Sequence, residues 1–218
     1  PPTAKLLIAL GIEAFGYVVA NRCIGAALWP RLRAAADLTV LAPARVADFA
    51  ITSERVRFTV VGESGRAVPV AAQLIVAADG AHSQIRAAAG IAAEVVDYGQ
   101  VAVVANVATD RAHGGQAYER FTAAGPLAVL PRHDGGLAVI WACRPERAQA
   151  LRALSDVAYL AQLQAQFGWR AGRFVRAGPR SAYPLQLSRA LAGVATRTVL
   201  IGNAAQALHP VAGQGFNL

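Results

Sequence analysis

The chain has 218 residues, 55% of them hydrophobic, which is enough for a packed core and unlike a disordered chain. No apolar run reaches the roughly 18 residues that span a bilayer, and the stretch 6–20 is interrupted by Glu13. The net charge of +8 comes from scattered arginines, with Lys5 as the single lysine. We therefore expect no nucleic-acid partner, and only a weak attraction to anionic membrane surfaces stays open.

The first 92 residues predict part of an α/β domain. Residues 21–36 carry one apolar face and predict a helix, with Asn21 as its N-cap and a break or kink at Pro30. A short strand is expected at 38–41. Alternating residues at 46–51 and 55–61, with turns between and after them, predict a small antiparallel meander.

A different pattern follows at residues 74–78. This continuous apolar run predicts a strand that is buried on both faces. It ends at Asp79-Gly80, and Ser83 is expected to cap a short helix that closes at Gly90.

Residues 93–192 predict a second, mostly antiparallel domain. Its candidate strands lie at 101–107, 117–121, 127–130, 137–141 and 180–187, with a hairpin turn at Asp134-Gly135 and a helix in two parts over 144–167. A short, fully apolar strand at 198–201 resembles the strand predicted at 74–78 and marks the return to the α/β domain. The order predicts an α/β domain, 1–92 and 193–218, interrupted by a β-sheet domain.

The first candidate site reads Ala78-Asp79-Gly80-Ala-His-Ser83-Gln-Ile-Arg86. A carboxylate at the carboxyl end of a buried strand lies where α/β folds bind ligands, and Gly80 allows a sharp turn and a close approach. By itself the pattern is more typical of an ordinary strand-to-helix turn, in which Asp79 makes a local bond and Ser83 caps the helix, because Asp-Gly is common.

The second candidate is the terminal segment from Val199 to Leu218. A strand runs into Gly202-Asn203, where the amide can donate and accept hydrogen bonds with sugar or ribityl hydroxyls. After His209-Pro210, the run Gly213-Gln214-Gly215-Phe216-Asn217-Leu218 predicts a helix start whose free N–H groups would hold an anion. A helix that has only begun at Leu218 predicts that the natural protein continues.

The remaining candidates are weaker. The four histidines lack the spacing of metal ligands, and Cys23 and Cys143 have neither metal nor disulfide spacing, so we expect no metal site and a reducing cytoplasm. Trp141, Tyr183 and Phe216 are candidate substrate contacts, although such aromatic residues are more often part of a core.

These motifs resemble the flavoprotein hydroxylases of the para-hydroxybenzoate hydroxylase type. Within them, Asn203 and Gln206 in place of Asp and His resemble the ubiquinone-biosynthesis branch, in particular the 2-polyprenyl-6-methoxyphenol hydroxylases. The resemblance extends along the chain through Gly16-Tyr-Val-Val19, Ala105-Asn-Val-Ala108, Tyr118-Glu-Arg-Phe121, Gly125-Pro-Leu127, Phe167-Gly-Trp169 and Arg180-Ser-Ala-Tyr-Pro-Leu185. Ala20 stands where the family has a glutamate.

The resemblance implies an incomplete Rossmann-like FAD-binding domain, whose N-terminal GxGxxG lies outside this chain, and a nearly complete substrate domain. It implies FAD as cofactor, NAD(P)H as electron donor, and a polyprenylated phenol and O2 as substrates, joined through a flavin C4a-hydroperoxide. The flavin would contact Asp79, Gly80, Ser83, Gly202, Asn203 and residues 213–217, with the carbonyl of Pro210 near the reacting ring. A cytoplasmic protein, peripheral on the inner face of the membrane or in a biosynthetic complex, is expected, and the isolated chain is expected to be inactive.

Two other functions stay open. A flavin-dependent reductase or dehydrogenase of a prenyl lipid would share these motifs. A non-catalytic assembly subunit that binds a lipid would retain the fold, and Asn203 in place of the usual aspartate leaves room for it.

Overall fold

The computed structural model describes residues 11, 13–209 and 215. The chain folds as two compact units: the first is Pro1–Ala36 with Val103–Ala182, and the second is Asp37–Ala102 with Tyr183–Leu218. The domain boundaries near residues 92 and 192 stay a prediction.

The helices and strands, in chain order, are α1 (Asn21–Ala34), β1 (Ala44–Ile51), β2 (Val56–Gly62), β3 (Ala67–Ala72), β4 (Ile75–Ala77), α2 (Gln84–Ala88), β5 (Ala93–Thr109), β6 (Tyr118–Thr122), β7 (Gly125–Pro131), β8 (Leu137–Cys143), α3 (Pro145–Ala153), α4 (Asp156–Phe167), β9 (Phe174–Ala190), β10 (Val194–Ala195), β11 (Thr198–Leu200) and β12 (Gln206–Ala207).

Helix α1 confirms the predicted helix but not its predicted details. Its N-cap is Ala20, which has no side-chain oxygen to accept a hydrogen bond, so Asn21 as N-cap is wrong. The helix also continues through Pro30 to Ala34, so the helix is not broken there, and a kink at Pro30 stays a prediction. Proline removes one helical hydrogen bond, and the remaining bonds on either side hold the helix together.

The second unit contains the predicted meander, in the order β1-β2-β3 with antiparallel pairing throughout. The strand predicted at 38–41 is wrong, because these residues pair with no neighbouring strand in the described structure. Leu38 and Leu41 are about half exposed there. An apolar run without a ladder partner or a core contact has nothing to hold it as a strand.

A small three-stranded sheet, β10-β11-β4, gives the second unit its parallel pair. Ile75 and Ala77 of β4 belong to a buried cluster with Val56, Ile85 and Leu200. Val76, between them, is 49% exposed. Burial of β4 on both faces is therefore wrong for this chain, since only one face packs on the described core.

In the first unit, β5, β8, β7 and β6 lie side by side in the six-stranded sheet β12-β9-β5-β8-β7-β6. The hairpin β7–β8 turns at Asp134-Gly135, as predicted: Gly135 has a φ of 81°, and Asp134 accepts a hydrogen bond from the N–H of Gly136. Strands β5 and β9 each pass through both units.

Helices α3 and α4 are the two parts of the predicted helix over 144–167. Pro145 begins α3, and the Ser155 side chain caps α4 by accepting a hydrogen bond from the N–H of Ala158. Their buried residues, Leu151, Tyr159 and Leu163, are fully enclosed together with Trp141 of β8. Each such side chain contributes about 1.5–3 kcal/mol on burial. Among the described residues no helix is long and apolar enough to cross a membrane.

Candidate functional site

The two predicted site motifs follow neighbouring parallel strands of the second unit. β4 pairs with β11 in the register Ile75↔Thr198 to Ala77↔Leu200, and the ladder extends through the N–H of Ile201, which donates to the carbonyl of Ala77 at 2.9 Å. Because the strands are parallel, Asp79-Gly80 and Gly202-Asn203 leave the sheet at the same edge. This is the edge at which α/β sheets bind ligands.

Asp79 is held in one orientation by the start of α2. Its carboxylate accepts hydrogen bonds from the Ser83 hydroxyl at 2.5 Å and from the N–H of Ile85 at 3.2 Å. Burial acts to raise the pKa of Asp79, but these hydrogen bonds outweigh it, so the pKa lies below its usual value. Asp79 is therefore ionised, held in one orientation and exposed to solvent. Its carboxylate is available to accept hydrogen bonds from hydroxyl groups.

Ser83 connects this carboxylate to the helix. It is 3% exposed, and its Oγ accepts a hydrogen bond from the N–H of Arg86 at 2.9 Å while its hydroxyl donates to Asp79. The predicted cap is confirmed. The same side chain that begins α2 also orients the acid, and the role of the motif in flavin binding stays a prediction.

Glycines begin the turn after each strand. Gly80 has a φ of 86° and Gly202 a φ of 54°, which is backbone that other residues rarely adopt. Gly202 opens a 3-10 turn, Gly202–Ala204, which leaves Asn203 exposed and Ala204 fully buried. The buried alanine anchors the turn in the core while the Asn203 amide stays accessible.

Arg86 joins the two motifs, and its role was missed by the sequence analysis. One guanidinium nitrogen donates to the carbonyl of Ala204 and the other to the carbonyl of Ala81, each at 2.8 Å. The contact with Ala204 spans 118 positions in the chain. A guanidinium has rigidly spaced donors that suit two acceptors at once, so Arg86 fixes the turn after β4 against the turn after β11.

The terminal motif is described only as far as His209, with Gly215 beyond it. Gln206 lies in β12 and pairs with Arg189 of β9. The His209 ring meets Tyr98 edge to face at 4.9 Å, and burial lowers the pKa of His209. Gly215 is exposed. The predicted residues Pro210, Gly213, Gln214, Phe216 and Asn217 lie outside the described residues.

Two of the three candidate substrate contacts lie within the described residues. Trp141 is 1% exposed within the core of the first unit, with its ring centroid 6.4 Å from that of Tyr159. Tyr183 is 56% exposed on β9 of the second unit. Phe216 lies outside the described residues. All three assignments stay predictions.

The donor set at the edge fits FAD. An oriented carboxylate and a neutral amide can accept and donate hydrogen bonds with the ribityl and sugar hydroxyls. At Gly80 and Gly202 the space that a Cβ would occupy is open, which allows the backbone to approach a ligand. Within the described part of the chain, no three His, Cys, Asp or Glu residues come together as metal ligands.

The chain matches the model of a protein family described as "FAD binding domain" over residues 25–218. It is 39% identical to the ubiquinone hydroxylase UbiL of Rhodospirillum rubrum, covering 93% of this chain and 46% of that protein. It is 31% identical to the 3-demethoxyubiquinol 3-hydroxylase of Escherichia coli, covering 96% of this chain and 52% of that protein. The chain thus spans about half the length of these relatives.

A solved structure has the same fold. It is the p-nitrophenol 4-monooxygenase of Pseudomonas putida, with a TM-score of 0.73 and 20% sequence identity, covering 90% of this chain and 50% of that one. The mixed α/β prediction, with mostly antiparallel sheets, is confirmed.

Proposed function

Because the chain belongs to the FAD binding domain family, we propose that the protein is an FAD-dependent, NAD(P)H-using monooxygenase that hydroxylates a polyprenylated phenol in ubiquinone biosynthesis. The observation that carries this proposal is the pairing of β4 with β11. It brings the Asp79 and Asn203 motifs to one edge, where each has a group suited to the flavin.

The relatives direct the proposal to ubiquinone biosynthesis. Two proteins that match more than nine-tenths of this chain are named as a ubiquinone hydroxylase and a demethoxyubiquinol hydroxylase. Bound FAD, once reduced by NAD(P)H, would supply the activation of O2. The protein's own task is then to hold the flavin and to orient the phenol ring beside it.

Each residue at the edge has a defined part in holding the cofactor. The Asp79 carboxylate would accept hydrogen bonds from hydroxyl groups of FAD, and Ser83 keeps that carboxylate oriented and ionised. Asn203, in the adjacent turn, would hold the ribityl chain. Arg86 would hold the two turns together through its hydrogen bonds to the carbonyls of Ala81 and Ala204.

The proposal also covers the lipid tail of the substrate and the cellular location of the protein. The phenol carries a polyprenyl tail, which would keep the substrate in a membrane. The protein would then act from the cytoplasm as a peripheral protein, alone or in a biosynthetic complex.

Product analysis on the full-length protein tests the proposal. We expect FAD to copurify, and the phenol to gain one oxygen atom that derives from 18O2. A product that differs only by hydrogens would support the reductase or dehydrogenase instead. A colourless protein that takes up no flavin on reconstitution would support the non-catalytic subunit.

A pair of matched variants tests the proposed site. Asp79→Asn keeps the shape of the side chain but removes its charge, and we expect FAD to bind about 10- to 100-fold more weakly, as for the loss of one charged hydrogen bond. Asp97→Asn is the control, because Asp97 is an exposed acid of the same unit that accepts a hydrogen bond only from Gly99 among the described contacts. Equal FAD dissociation constants for the two variants would contradict the assignment of Asp79.

A further inference from the structure

A pocket lies within the first unit and is lined by residues that belong to neither flavin motif. It has a volume of about 490 Å³, and β6 and the turn after α4 form its walls. The lining residues include Tyr118, Glu119, Arg120, Phe167, Trp169 and Arg170. The proposed function uses none of them.

The walls of this pocket are held by specific contacts. The rings of Tyr118 and Phe167 meet edge to face at 5.6 Å, and a guanidinium nitrogen of Arg120 donates to the carbonyl of Phe167. Gly168, with a φ of 87°, ends α4, and its carbonyl accepts a hydrogen bond from the Gln164 amide at 2.6 Å. The turn that presents Trp169 is therefore built on ordered contacts.

A large aromatic side chain of the lining is exposed beside this ordered base. Trp169 is 67% exposed. Exposed tryptophan with neighbouring arginines is typical of protein surfaces that lie at the level of lipid headgroups, where the indole has one apolar face and one wet edge.

The charges at the pocket favour an anionic partner. No carboxylate lies within ion-pair distance of Arg120 or Arg170 in the described part of the chain. The lining holds one acid, Glu119, against these two arginines. The chain as a whole carries a net charge of +8.

We propose that this pocket, which we call the Trp169 pocket, binds anionic phospholipid at a membrane surface. Trp169 enters the headgroup layer, and Arg120 and Arg170 contact the phosphate groups. The net positive charge, and two arginines that form no ion pair with a carboxylate among the described residues, favour a phospholipid surface over an apolar protein partner. The inference adds a membrane-binding site to the proposed function and rests on different residues.

The test uses the full-length protein with its flavin and two kinds of vesicle, phosphatidylcholine alone and phosphatidylcholine with phosphatidylglycerol. We expect cosedimentation with the anionic vesicles and a blue shift of tryptophan emission. Arg170→Gln should lower the partition coefficient about fivefold, the effect of one arginine near an anionic surface. Trp169→Phe should abolish the blue shift, and Trp169→Ala should also weaken binding.

Arg176→Gln is the matched control, because Arg176 is an exposed arginine of β9 in the same unit and the change in net charge is identical. We expect it to change the partition coefficient by less than about twofold. An equal loss of vesicle binding for Arg170→Gln and Arg176→Gln would show that net charge alone attracts the protein. That result would overturn the proposal that the Trp169 pocket binds phospholipid.

Other results would also overturn the proposal. These are no binding of the wild type to anionic vesicles, equal binding to neutral vesicles, or an equal emission shift with soluble glycerol phosphate at the same phosphate concentration. Turnover of a short-tailed, water-soluble phenol is measured on the same preparations. A wild type without this turnover but with vesicle binding contradicts the proposed function alone, whereas turnover without vesicle binding contradicts the Trp169 pocket alone.

Discussion

Replacing Arg86 by alanine removes the side chain that holds the two flavin turns together. Its two hydrogen bonds run from a charged donor to the carbonyls of Ala81 and Ala204, each at 2.8 Å. Each such bond contributes roughly 1.5–3 kcal/mol. Because Arg86 is half-buried, we take the lower value for both and expect the free energy of unfolding to fall by about 3 kcal/mol.

The variant should also bind FAD about tenfold more weakly, equivalent to ~1.4 kcal/mol, because the turns would no longer be held at the separation that the cofactor needs. Urea unfolding of the full-length protein measures the first effect, and flavin titration of the apoprotein measures the second. Arg86→Lys can reach one carbonyl at a time, so we expect about half the loss of stability.

The matched control is Arg189→Gln in the same unit. Arg189 pairs with Glu94 at 3.0 Å, but both side chains are more than half exposed, so the pair contributes about 0–1 kcal/mol. If Arg86→Ala were no less stable than Arg189→Gln and bound FAD as the wild type does, the bridging role of Arg86 would be refuted.

Three further predictions concern acid stability, the core and alkaline stability. Ser83→Ala should lower the free energy of unfolding by about 1–2 kcal/mol, since it removes a helix cap and a bond to Asp79. The pKa of Asp79 is lowered from 3.8 in the folded chain. The ionised carboxylate therefore stabilises the fold above that pH, and this stabilisation is lost as the pH falls below it. Urea titrations below pH 4 should show a smaller loss of stability in Ser83→Ala than in the wild type. On α4, Leu163→Ala should lower the free energy of unfolding by about 2–5 kcal/mol because Leu163 is fully buried. The control is Val157→Ala, at an 80% exposed position of the same helix, which should change the free energy of unfolding by less than about 0.5 kcal/mol. Similar denaturation midpoints for the two variants would contradict the described packing. Burial raises the pKa of Tyr159 from 10.0 to about 12, so its contribution to stability is complete below pH 10 and is lost as the pH rises through 12. A Tyr159→Phe variant should lack this alkaline loss, as measured by unfolding followed with circular dichroism between those pH values.

Much of the local structure could be predicted from the sequence. The meander, the hairpin at Asp134-Gly135 and the cap at Ser83 depend on residues close together in the chain, and all three occur. The strand predicted at 38–41 failed for the opposite reason. An apolar run shows that a segment can pair but does not show whether a partner strand is available.

Some features of the candidate site could likewise be predicted from local sequence, and others could not. The two candidate motifs were recognisable by themselves, since glycine and a polar side chain after an apolar strand are a local pattern. Arg86 carried no such signal, because its acceptor at Ala204 lies 118 positions away and is a backbone carbonyl that any residue provides. The Trp169 pocket was equally hidden, since it forms only when β6 meets the turn after α4.

The sequence by itself determined which segments could hold a flavin and which family they resemble, because both depend on residue type at short spacing. The tertiary structure alone decided that β4 lies parallel to β11, that one arginine holds their two turns together, and that Trp141 is enclosed while Trp169 is exposed. These features depend on contacts between distant segments, whose geometry is set by packing of the whole unit rather than by any local preference.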